Sequence, residues 1–336
     1  MTAQGADVTA YDNLLVQVHG LTPALEPGLK IIRADVRDRA SLAAAIRDTR
    51  PQIVVHLAAE TGTGQSADEP SRYCDVNVSG TATLIELLKA AESPPDRIVL
   101  AATRAVYGEG AYRDASGQVL APEPRSSEAM ARGEFDPRSP DGAALAPVAT
   151  AETLSPRPGS VYGSTKLMQE YLLQQTPAPW DHVILRLQNV YGPGQSLLNP
   201  YTGVLSIFCQ QAMSGQKLHI FEDGEIYRDF VFVDDVVDAF SRACSSAPAS
   251  GRTINIGAGE RTSIQQAAER ILSELGLPPV VTVTGQYRAG DIRHALADTT
   301  LAQNLLLWHP KVSFAEGLHR LVTWARAEAG VSNVAD

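Results

Sequence analysis

The sequence has little cysteine, no long apolar run and a deficit of positive charge. Its 336 residues include three widely spaced cysteines with no CxxC pair, Cys74, Cys209 and Cys244. This number and spacing predict neither a disulfide framework nor a zinc site, and they favour a reducing, cytoplasmic location. The longest apolar runs, such as 53–59, are strand-sized, and the first residues show no basic segment followed by an apolar one. We therefore expect no membrane span and no secretory signal.

The charge balance limits the kinds of partner. The formal net charge is −10 and the isoelectric point is near 5.2. Binding to nucleic acid or to an anionic membrane would need clustered lysine and arginine, so we expect neither. Any anionic ligand must be held by a few well-placed cations. The seven histidines show no metal-ligand spacing, so we expect no metal.

What the sequence does contain is an alternation of strand-like and helix-like segments. This alternation predicts a Rossmann-like α/β fold, with a doubly wound parallel sheet covered by helices on both faces. Apolar runs predict strands at 8–11, 29–36, 51–59, 97–102, 182–188, 230–233 and 253–256. Helical periodicity predicts helices at 41–50, 76–92, 162–175, 203–214, 263–275 and after Asp234.

The rhythm breaks once, over residues 109–159. This stretch is rich in Pro, Gly, Ser, Arg and Glu and is too long for an ordinary connection. We interpret it as an inserted arm or lid within a dinucleotide-binding domain of residues 1–190. Residues 191–330 are predicted to form a smaller, mixed substrate-binding domain, with segments around 228–258 returning to the first domain.

The strongest chemical signal is Y162-G-S-T-K166. On a helix, positions i and i+4 share a face, so the ammonium of Lys166 would lie beside the phenol of Tyr162 and favour its ionised form. Such a tyrosine can exchange a proton with a substrate hydroxyl. The alternative is a coincidence on a helix surface.

A hydroxyl at the end of a strand supports the functional interpretation. Thr103 follows the strand 97–102, and ligands of open parallel sheets bind outside the carboxyl ends of the strands. A threonine in this place often only caps the strand end. Together with Tyr162 and Lys166 it is a candidate ligand of the reacting oxygen.

A series of short motifs resembles one known family. In chain order they are DNL, ADVRD, HLAAETGTGQS, NVSGT, TRAVYG, YGSTK, RLQNVYGPGQS, RDFVFVDDV, INIGAG and RAGDIRHALAD. This series is similar to the extended short-chain dehydrogenase/reductase family of nucleotide-sugar epimerases and dehydratases, over nearly the whole chain. Within it the pattern looks most like NAD-dependent 4-epimerases, and DNLLVQVHG and NPYTGVLSIF resemble the dTDP-L-rhamnose 4-epimerase-like members.

The resemblance implies roles for individual residues. It makes Tyr162 the acid/base, Lys166 its electrostatic partner and ribose ligand, and Thr103 the hydroxyl on the sugar oxygen. The implied NAD-binding residues are Asp12, Asn13, Asp35, Val36, Leu57, Ala58, Ala59, Asn77, Tyr162 and Lys166. The implied ligands of a dTDP- or UDP-linked sugar are Thr61, Thr103, Asn189, Arg228, Arg288 and Asp291. The resemblance also implies a homodimer formed through the helices at 76–92 and 162–175.

Several of these residues have simpler structural explanations. Asp12 could cap a turn, Asp35 could pair with Arg37, and Arg228 could form a surface pair with Asp229. Asp234 and Asp235, which precede an apolar helix, read as its N-cap.

The reaction type follows from two missing carboxylates. The resembling dehydratases and decarboxylases carry Asp or Glu just after the threonine, whereas this chain has Arg104 and Ala105. Epimerisation through a transient 4-keto sugar is then the simpler outcome. Two alternatives stay open: a dehydratase or oxidoreductase that takes an acid from 109–159, and a sugar-nucleotide-binding protein that has lost its cofactor.

The start of the chain raises a separate expectation. QGADVTAYDN reads as a helix tail followed by the second strand of a dinucleotide-binding unit, in which the strand-end acid follows a Gly-rich turn by about 20 residues. No such turn precedes Asp12, so we expect a sheet without its usual first strand and Gly-rich turn. Either the chain starts late relative to the natural protein, which the other motifs favour, or its NAD binding has weakened. Without a substitute strand, residues 1 to about 35 should be displaced or poorly ordered.

Overall fold

The computed structural model describes residues 1–2, 5–21, 25–197, 199–201, 203–288 and 290–330. The strands are β1 (Thr9–Asp12), β2 (Lys30–Arg33), β3 (Ile53–His56), β4 (Arg97–Thr103), β5 (Tyr112–Arg113), β6 (Val119–Leu120), β7 (Ala146–Pro147), β8 (Asp181–Leu187), β9 (Asn189–Tyr191), β10 (His219–Ile220), β11 (Tyr227–Arg228), β12 (Phe230–Phe232), β13 (Arg252–Ile256), β14 (Thr262–Ser263) and β15 (Thr282–Val283).

The helices alternate with these strands through the first half of the chain and dominate the last third. They are α1 (Val16–His19), α2 (Arg39–Thr49), α3 (Thr63–Asp68), α4 (Pro70–Tyr73), α5 (Gly80–Ala90), α6 (Ser127–Ala131), α7 (Val161–Gln175), α8 (Val204–Met213), α9 (Val233–Ser245), α10 (Ile264–Glu274), α11 (Thr300–Leu306) and α12 (Phe314–Glu328). A π-helical turn, Cys74–Ser79, leads into α5, and a 3-10 turn, Arg104–Tyr107, follows β4.

Four parallel strands form the central sheet, in the order β13, β8, β4, β3. Alternate residues of β4 face opposite layers: Ile98 and Leu100 pack with α2, α5 and α7, whereas Val99 packs with α9 and α11. Strands buried on both faces need such continuous apolar runs, which is why the sequence pattern located them. The predicted doubly wound Rossmann-like fold is confirmed.

The sheet is interrupted beside β3. β1 and β2 pair with each other in parallel, and within the described residues they form a separate two-stranded sheet. The interruption lies where we expect the first strand to be lacking. β1 and β2 keep a regular register of paired residues. The expectation that residues 1 to about 35 are displaced or poorly ordered stays a prediction. Gln4, in the predicted helix tail, lies outside the described residues.

A second apolar core occupies the C-terminal third. It packs α8, α10 and α12 around an aromatic group in which Tyr191 contacts Phe230, Phe232 and Phe314 at ring-centroid distances of 5.5 to 6.1 Å. α12 was not predicted, although its buried positions 314, 318, 321, 322 and 325 have helical spacing. The division into domains at residue 190 stays a prediction.

The segment 109–159 is folded rather than irregular. β5 pairs in antiparallel fashion with both β6 and β7, and the short helix α6 lies between β6 and β7 in the chain. Its contacts with the C-terminal segments are treated below.

The pair Asp234–Asp235 differs from its prediction. Phe232 is the N-cap of α9 and provides no side-chain cap, so the predicted aspartate N-cap is wrong. Asp235 instead accepts hydrogen bonds from the backbone N–H groups of Lys311 and Val312, and Asp234 pairs with Arg320. Contacts with residues distant in the sequence have taken the place of the predicted local cap.

None of the helices in the described part of the chain is both long and apolar enough to cross a membrane.

Adjacent valines of α9 test the core assignment. Val236 is 5% exposed and packs under the sheet, whereas Val237 is 54% exposed. We expect Val236→Ala to lower the free energy of unfolding by about 2 kcal/mol, through lost burial and a residual cavity. Val237→Ala should change it by less than about 0.5 kcal/mol. Urea denaturation measures both, and equal effects would contradict this packing.

Candidate functional site

The site begins where β4 ends. Thr103, the last residue of β4, is buried, and its hydroxyl oxygen accepts a hydrogen bond from the backbone N–H of Ala105 at 3.2 Å. This contact starts the 3-10 turn that carries Arg104. Thr103 therefore does cap its own turn, and it does so at the carboxyl edge of the sheet, where ligands of this fold class bind.

Helix α7 brings the tyrosine to the same edge. Ser160 caps the helix by accepting the N–H of Gly163 at 3.1 Å. Gly163 lies so close to the turn after β4 that a Cβ placed on it would be 2.8 Å from the carbonyl oxygen of Ala105. The backbone N–H of Tyr162 donates to the hydroxyl of Ser66. These contacts hold Tyr162 against the segment that begins at Thr103.

The surroundings of Tyr162 act on its acidity in opposite directions. Burial raises the pKa of its phenol, whereas the Thr103 hydroxyl and the positive charge of Arg104 lower it. The ring of Tyr73 packs edge-on at 6.4 Å. The cation that acts on the phenol in this structure is Arg104, a residue that the sequence analysis treated only as the absence of a carboxylate.

Arg104 is a cation that the described residues leave unpaired. Among the described residues its guanidinium makes no hydrogen bond and no ion pair, and burial together with the like charge of Arg228 lowers its pKa to about 10. The acidic groups that act on it are Asp291 and Glu109. The sequence did offer a signal that Arg104 is functional, because this residue directly follows Thr103 at the end of a strand.

Lys166 is also buried and unpaired within the described part of the chain. It is 3% exposed, and among the described residues it makes no hydrogen bond or ion pair. Burial lowers the pKa of its ammonium to about 7, against the opposing charge of Glu170. The carboxylate of Glu170 is held by Arg186 at 2.6 Å. The ammonium of Lys166 thus has hydrogen-bond donors that the described residues do not use.

The predicted adenosine-side residues lie at the ends of β1 and β2. Asp12 accepts the backbone N–H of Leu14 at 2.7 Å, so it does cap a turn. Asp35 pairs with Arg37 at 2.8 Å and accepts a hydrogen bond from Asn13 at 3.1 Å, which together hold the pKa of its carboxyl well below its usual range. Neither contact occupies all the acceptor capacity of these carboxylates.

The residues predicted along the cofactor trough are arranged around the end of β3. Asn77 is fully buried and bonds both the N–H and the carbonyl of Glu60, as well as Thr165 on α7. It therefore fixes the 57–61 segment to the tyrosine helix. Leu57 is 59% exposed, and Val36 packs against Gly80.

The two arginines that were predicted as substrate ligands are held by different contacts. Arg228 is buried and donates to the Asp291 carboxylate at 3.2 Å and to the carbonyls of Ile292 and Arg293, so it does not form the alternative surface pair with Asp229. The guanidinium of Arg288 stacks over the Phe221 ring at 4.7 Å.

Asn189 and Thr61, the other two predicted ligands, differ in whether their polar groups have hydrogen-bond partners. The Asn189 side-chain oxygen is buried with no partner among the described residues. Thr61 is exposed, and its carbonyl accepts the Tyr73 hydroxyl.

A parallel α/β sheet with these polar residues at its carboxyl edge defines a nucleotide-binding fold. A family model described as the NAD dependent epimerase/dehydratase family matches residues 1–257. The chain belongs to this family. It is similar to dTDP-L-rhamnose 4-epimerase of Burkholderia thailandensis, at 39% identity over 99% of this chain and 92% of the relative. It also resembles UDP-glucose 4-epimerase of Mycolicibacterium smegmatis, at 31% identity over 88% of this chain and 83% of the relative.

Solved structures agree with this membership. UDP-glucose 4-epimerase of Thermotoga maritima with UDP-glucose superposes with a TM-score of 0.79, at 27% identity, over 98% of this chain and 93% of that one. MoeE5 in complex with UDP-glucose and NAD gives a TM-score of 0.77, at 27% identity and the same coverage.

The side chains of this site fit the cofactor of the family. NAD needs hydrogen-bond donors for the hydroxyls of its nicotinamide ribose, and the unpaired, buried ammonium of Lys166 is such a donor. At the other end, Asp12 has free acceptor capacity for the adenosine ribose.

The close approach of α7 can be tested at Gly163. In Gly163→Ala the new methyl group would meet the Ala105 carbonyl at 2.8 Å, so helix or turn must shift. We expect the free energy of unfolding to fall by about 1–3 kcal/mol in urea denaturation. Gly159→Ala is the matched control, because nothing lies within 4 Å of a Cβ there. A Gly163→Ala protein as stable as the control would disprove the tight contact.

Proposed function

We propose that this protein is an NAD-dependent nucleotide-sugar 4-epimerase that acts through a transient 4-keto sugar. The observation that carries the proposal is the meeting of Thr103 and Tyr162 at the carboxyl edge of the sheet, with Arg104 and Ala105 in the next two positions. The named relatives include 4-epimerases of dTDP-L-rhamnose and of UDP-glucose, which supports the same reaction.

The residues of the site have distinct tasks in this proposal. The Tyr162 phenolate takes the proton of the sugar 4-hydroxyl, and the hydroxyl of Thr103 binds the same oxygen and orients it. Arg104 favours the ionised phenol by its charge, and Lys166 binds the nicotinamide ribose. NAD, when bound, supplies reversible hydride acceptance from carbon 4. Tyr162 then returns the proton once the other face of the keto sugar is presented.

The proposal favours epimerisation over dehydration because, within the described part of the chain, no carboxylate is among the groups that act on the Tyr162 phenol. Arg104 and Ala105 cannot serve as carbon-acid bases. The insertion does bring one acid near Arg104, namely Glu109. Its two carboxylate oxygens are bonded to the Arg125 side chain and to the Arg293 backbone N–H, at 3.0 and 2.8 Å. It is therefore committed to a structural role.

The finer assignments belong to the same proposal. The nucleotide is dTDP- or UDP-linked, its diphosphate lies near Asn189, Arg228 and Arg288, and the protein works in the cytoplasm. Homodimerisation through α5 and α7 is supported by outward-facing apolar side chains on α7, where Met168 and Tyr171 are exposed.

Proton NMR in deuterated buffer tests the reaction type. With NAD and dTDP- or UDP-sugars we expect C4 epimers that keep their hydrogen at carbon 4 and take no deuterium at carbons 5 or 6. Epimerisation returns the same hydride to carbon 4, whereas dehydration exchanges protons with solvent at carbons 5 and 6. A 4-keto-6-deoxy product from a sugar that carries a 6-hydroxyl, or steady accumulation of NADH, would refute the proposal.

Two tyrosines of α7 provide the matched variants for this assay. Tyr162→Phe should reduce turnover by at least about 10³-fold, since it removes the group that moves the proton, while sugar-nucleotide binding changes little. Tyr171→Phe removes a hydroxyl from the same helix but keeps the ring that the proposed dimer face would use, so it should leave turnover unchanged.

The charge of Arg104 predicts a pH effect. Because Arg104 lowers the pKa of Tyr162, removing its charge in Arg104→Gln should raise that pKa. The rate depends on the phenolate, so the rising limb of kcat/KM should move to higher pH. Arg113→Gln, on an exposed arginine of β5, should leave the profile in place. A shift toward lower pH in Arg104→Gln would contradict this electrostatic role.

A further inference from the structure

The insertion meets the C-terminal part of the chain through a buried ring of charges. The ring consists of Glu109 and Arg125 from the insertion and Glu222 and Arg293 from the C-terminal segments. The side chains of Arg125 and Arg293 are 3% and 2% exposed, and Glu222 is buried as fully. A contact so completely desolvated is a built feature and not a chance surface pairing.

Arg125 uses its guanidinium to join three segments. Its Nε donates to Glu109 at 3.0 Å, and its Nη1 donates to Glu222 at 2.8 Å and to the Phe135 carbonyl at 3.0 Å. Its Nη2 donates to the backbone carbonyl of Asp291 at 2.8 Å. Only the planar fork of arginine can serve acceptors in this arrangement.

Arg293 closes the ring from the other side. Its backbone N–H donates to the second oxygen of Glu109, and its Nη1 donates to the second oxygen of Glu222, both at 2.8 Å. Each glutamate therefore bridges the two arginines. At the solvent edge Arg293 also bonds Asp136 and Asp223.

The ring holds Glu222 in an unfavourable backbone conformation. Glu222 has a φ of 55°, in the left-handed region that non-glycine residues rarely adopt. Such strain persists where the surroundings over-determine it. Glu222 also follows Phe221, whose ring carries the guanidinium of Arg288.

The same ring reaches the predicted diphosphate site. The segment 291–293 is held on one side by Arg125, through the Asp291 carbonyl. On the other side Arg228 bonds the Asp291 carboxylate at 3.2 Å and the carbonyls of residues 292 and 293 at 3.0 and 3.1 Å. The position of Arg228 and Asp291 thus depends on a residue of the insertion.

Stability alone does not account for a buried ionic ring. Apolar side chains of similar volume would hold the segments together at least as well, because desolvating charges offsets their attraction. What directional, charge-assisted hydrogen bonds add is a defined geometry.

We propose that the insertion is a clamp on the segment 291–293, and that Arg125 is the positioning residue that fixes this segment for the nucleotide diphosphate. This inference rests on the proposed function for the identity of the ligand. It assigns to residues 109–159 a role in substrate affinity and none in the chemical step.

The test compares Arg125→Lys, which keeps the charge and loses the fork, with the parent protein. We expect KM for the nucleotide sugar, and Kd for free dTDP or UDP by calorimetry, to rise about ten- to hundredfold, as for lost charged hydrogen bonds. We expect kcat to change less than about threefold, since among the described residues neither Thr103 nor Tyr162 makes a hydrogen bond or ion pair with the ring. Arg132→Lys, on an exposed arginine of the same insertion that pairs with Glu134, is the control.

A second variant guards against loss of folding. Glu222→Gln keeps the shape of the side chain and removes its charge, and it should weaken nucleotide binding in the same direction. Unchanged KM and Kd in both variants, with a lower Tm, would mean that the ring stabilises the fold without affecting nucleotide binding. This result would overturn the proposal. If the parent protein binds nucleotide but does not epimerise, the proposed reaction fails, and the comparison of Kd values still decides the clamp.

Discussion

The site depends on one close approach, that of helix α7 to the turn after β4. Gly163 makes this approach possible because it has no side chain to meet the carbonyl of Ala105. Tyr162 and Lys166 lie on the helix, whereas Thr103 and Arg104 lie on the strand end and its turn. A larger residue at 163 would meet that carbonyl at 2.8 Å and push the two groups apart. The glycine of YGSTK is therefore as much a part of the site as its two polar ends.

Most of the fold could be predicted from the sequence, because local patterns determine it. Strands β4 and β8 are short apolar runs buried on both faces, and β3 is a half-buried apolar run beside them. Their register at one sheet edge follows from parallel pairing. Thr103, Tyr162 and Lys166 could be found for the same reason, since each sits at a strand end or at helical spacing. Asp234 and Asp235 show where local signals fail. A helix N-cap was predicted from their position, but the carboxylate of Asp235 accepts hydrogen bonds from the backbone N–H groups of residues 311 and 312, which are distant in the sequence.

The charge ring could not be predicted, because its partners are far apart in the chain. Arg125 and Glu222 are separated by 97 positions, and Arg293 lies 184 positions from Glu109. No periodicity or spacing relates such residues, and only the folded chain shows which of many arginines and glutamates are buried together. Arg104 was overlooked for another reason. Only the lack of a carboxylate at this position was considered from the sequence, and not what a positive charge there would do.

The distribution of positive charge within an acidic protein is the last constraint. The net charge of −10 makes unpaired cations scarce and easily neutralised, yet Arg104 and Lys166 make no ion pair among the described residues. Burial lowers the pKa of both groups, so each would be more stable with a negative or strongly polar partner. The acids that act on these two cations, Glu170, Asp291 and Glu109, are already held by arginines. The fold thus keeps two desolvated cations, Arg104 and Lys166, that the described carboxylates do not neutralise, and a ligand rich in phosphate and hydroxyl oxygens offers the partners that they lack.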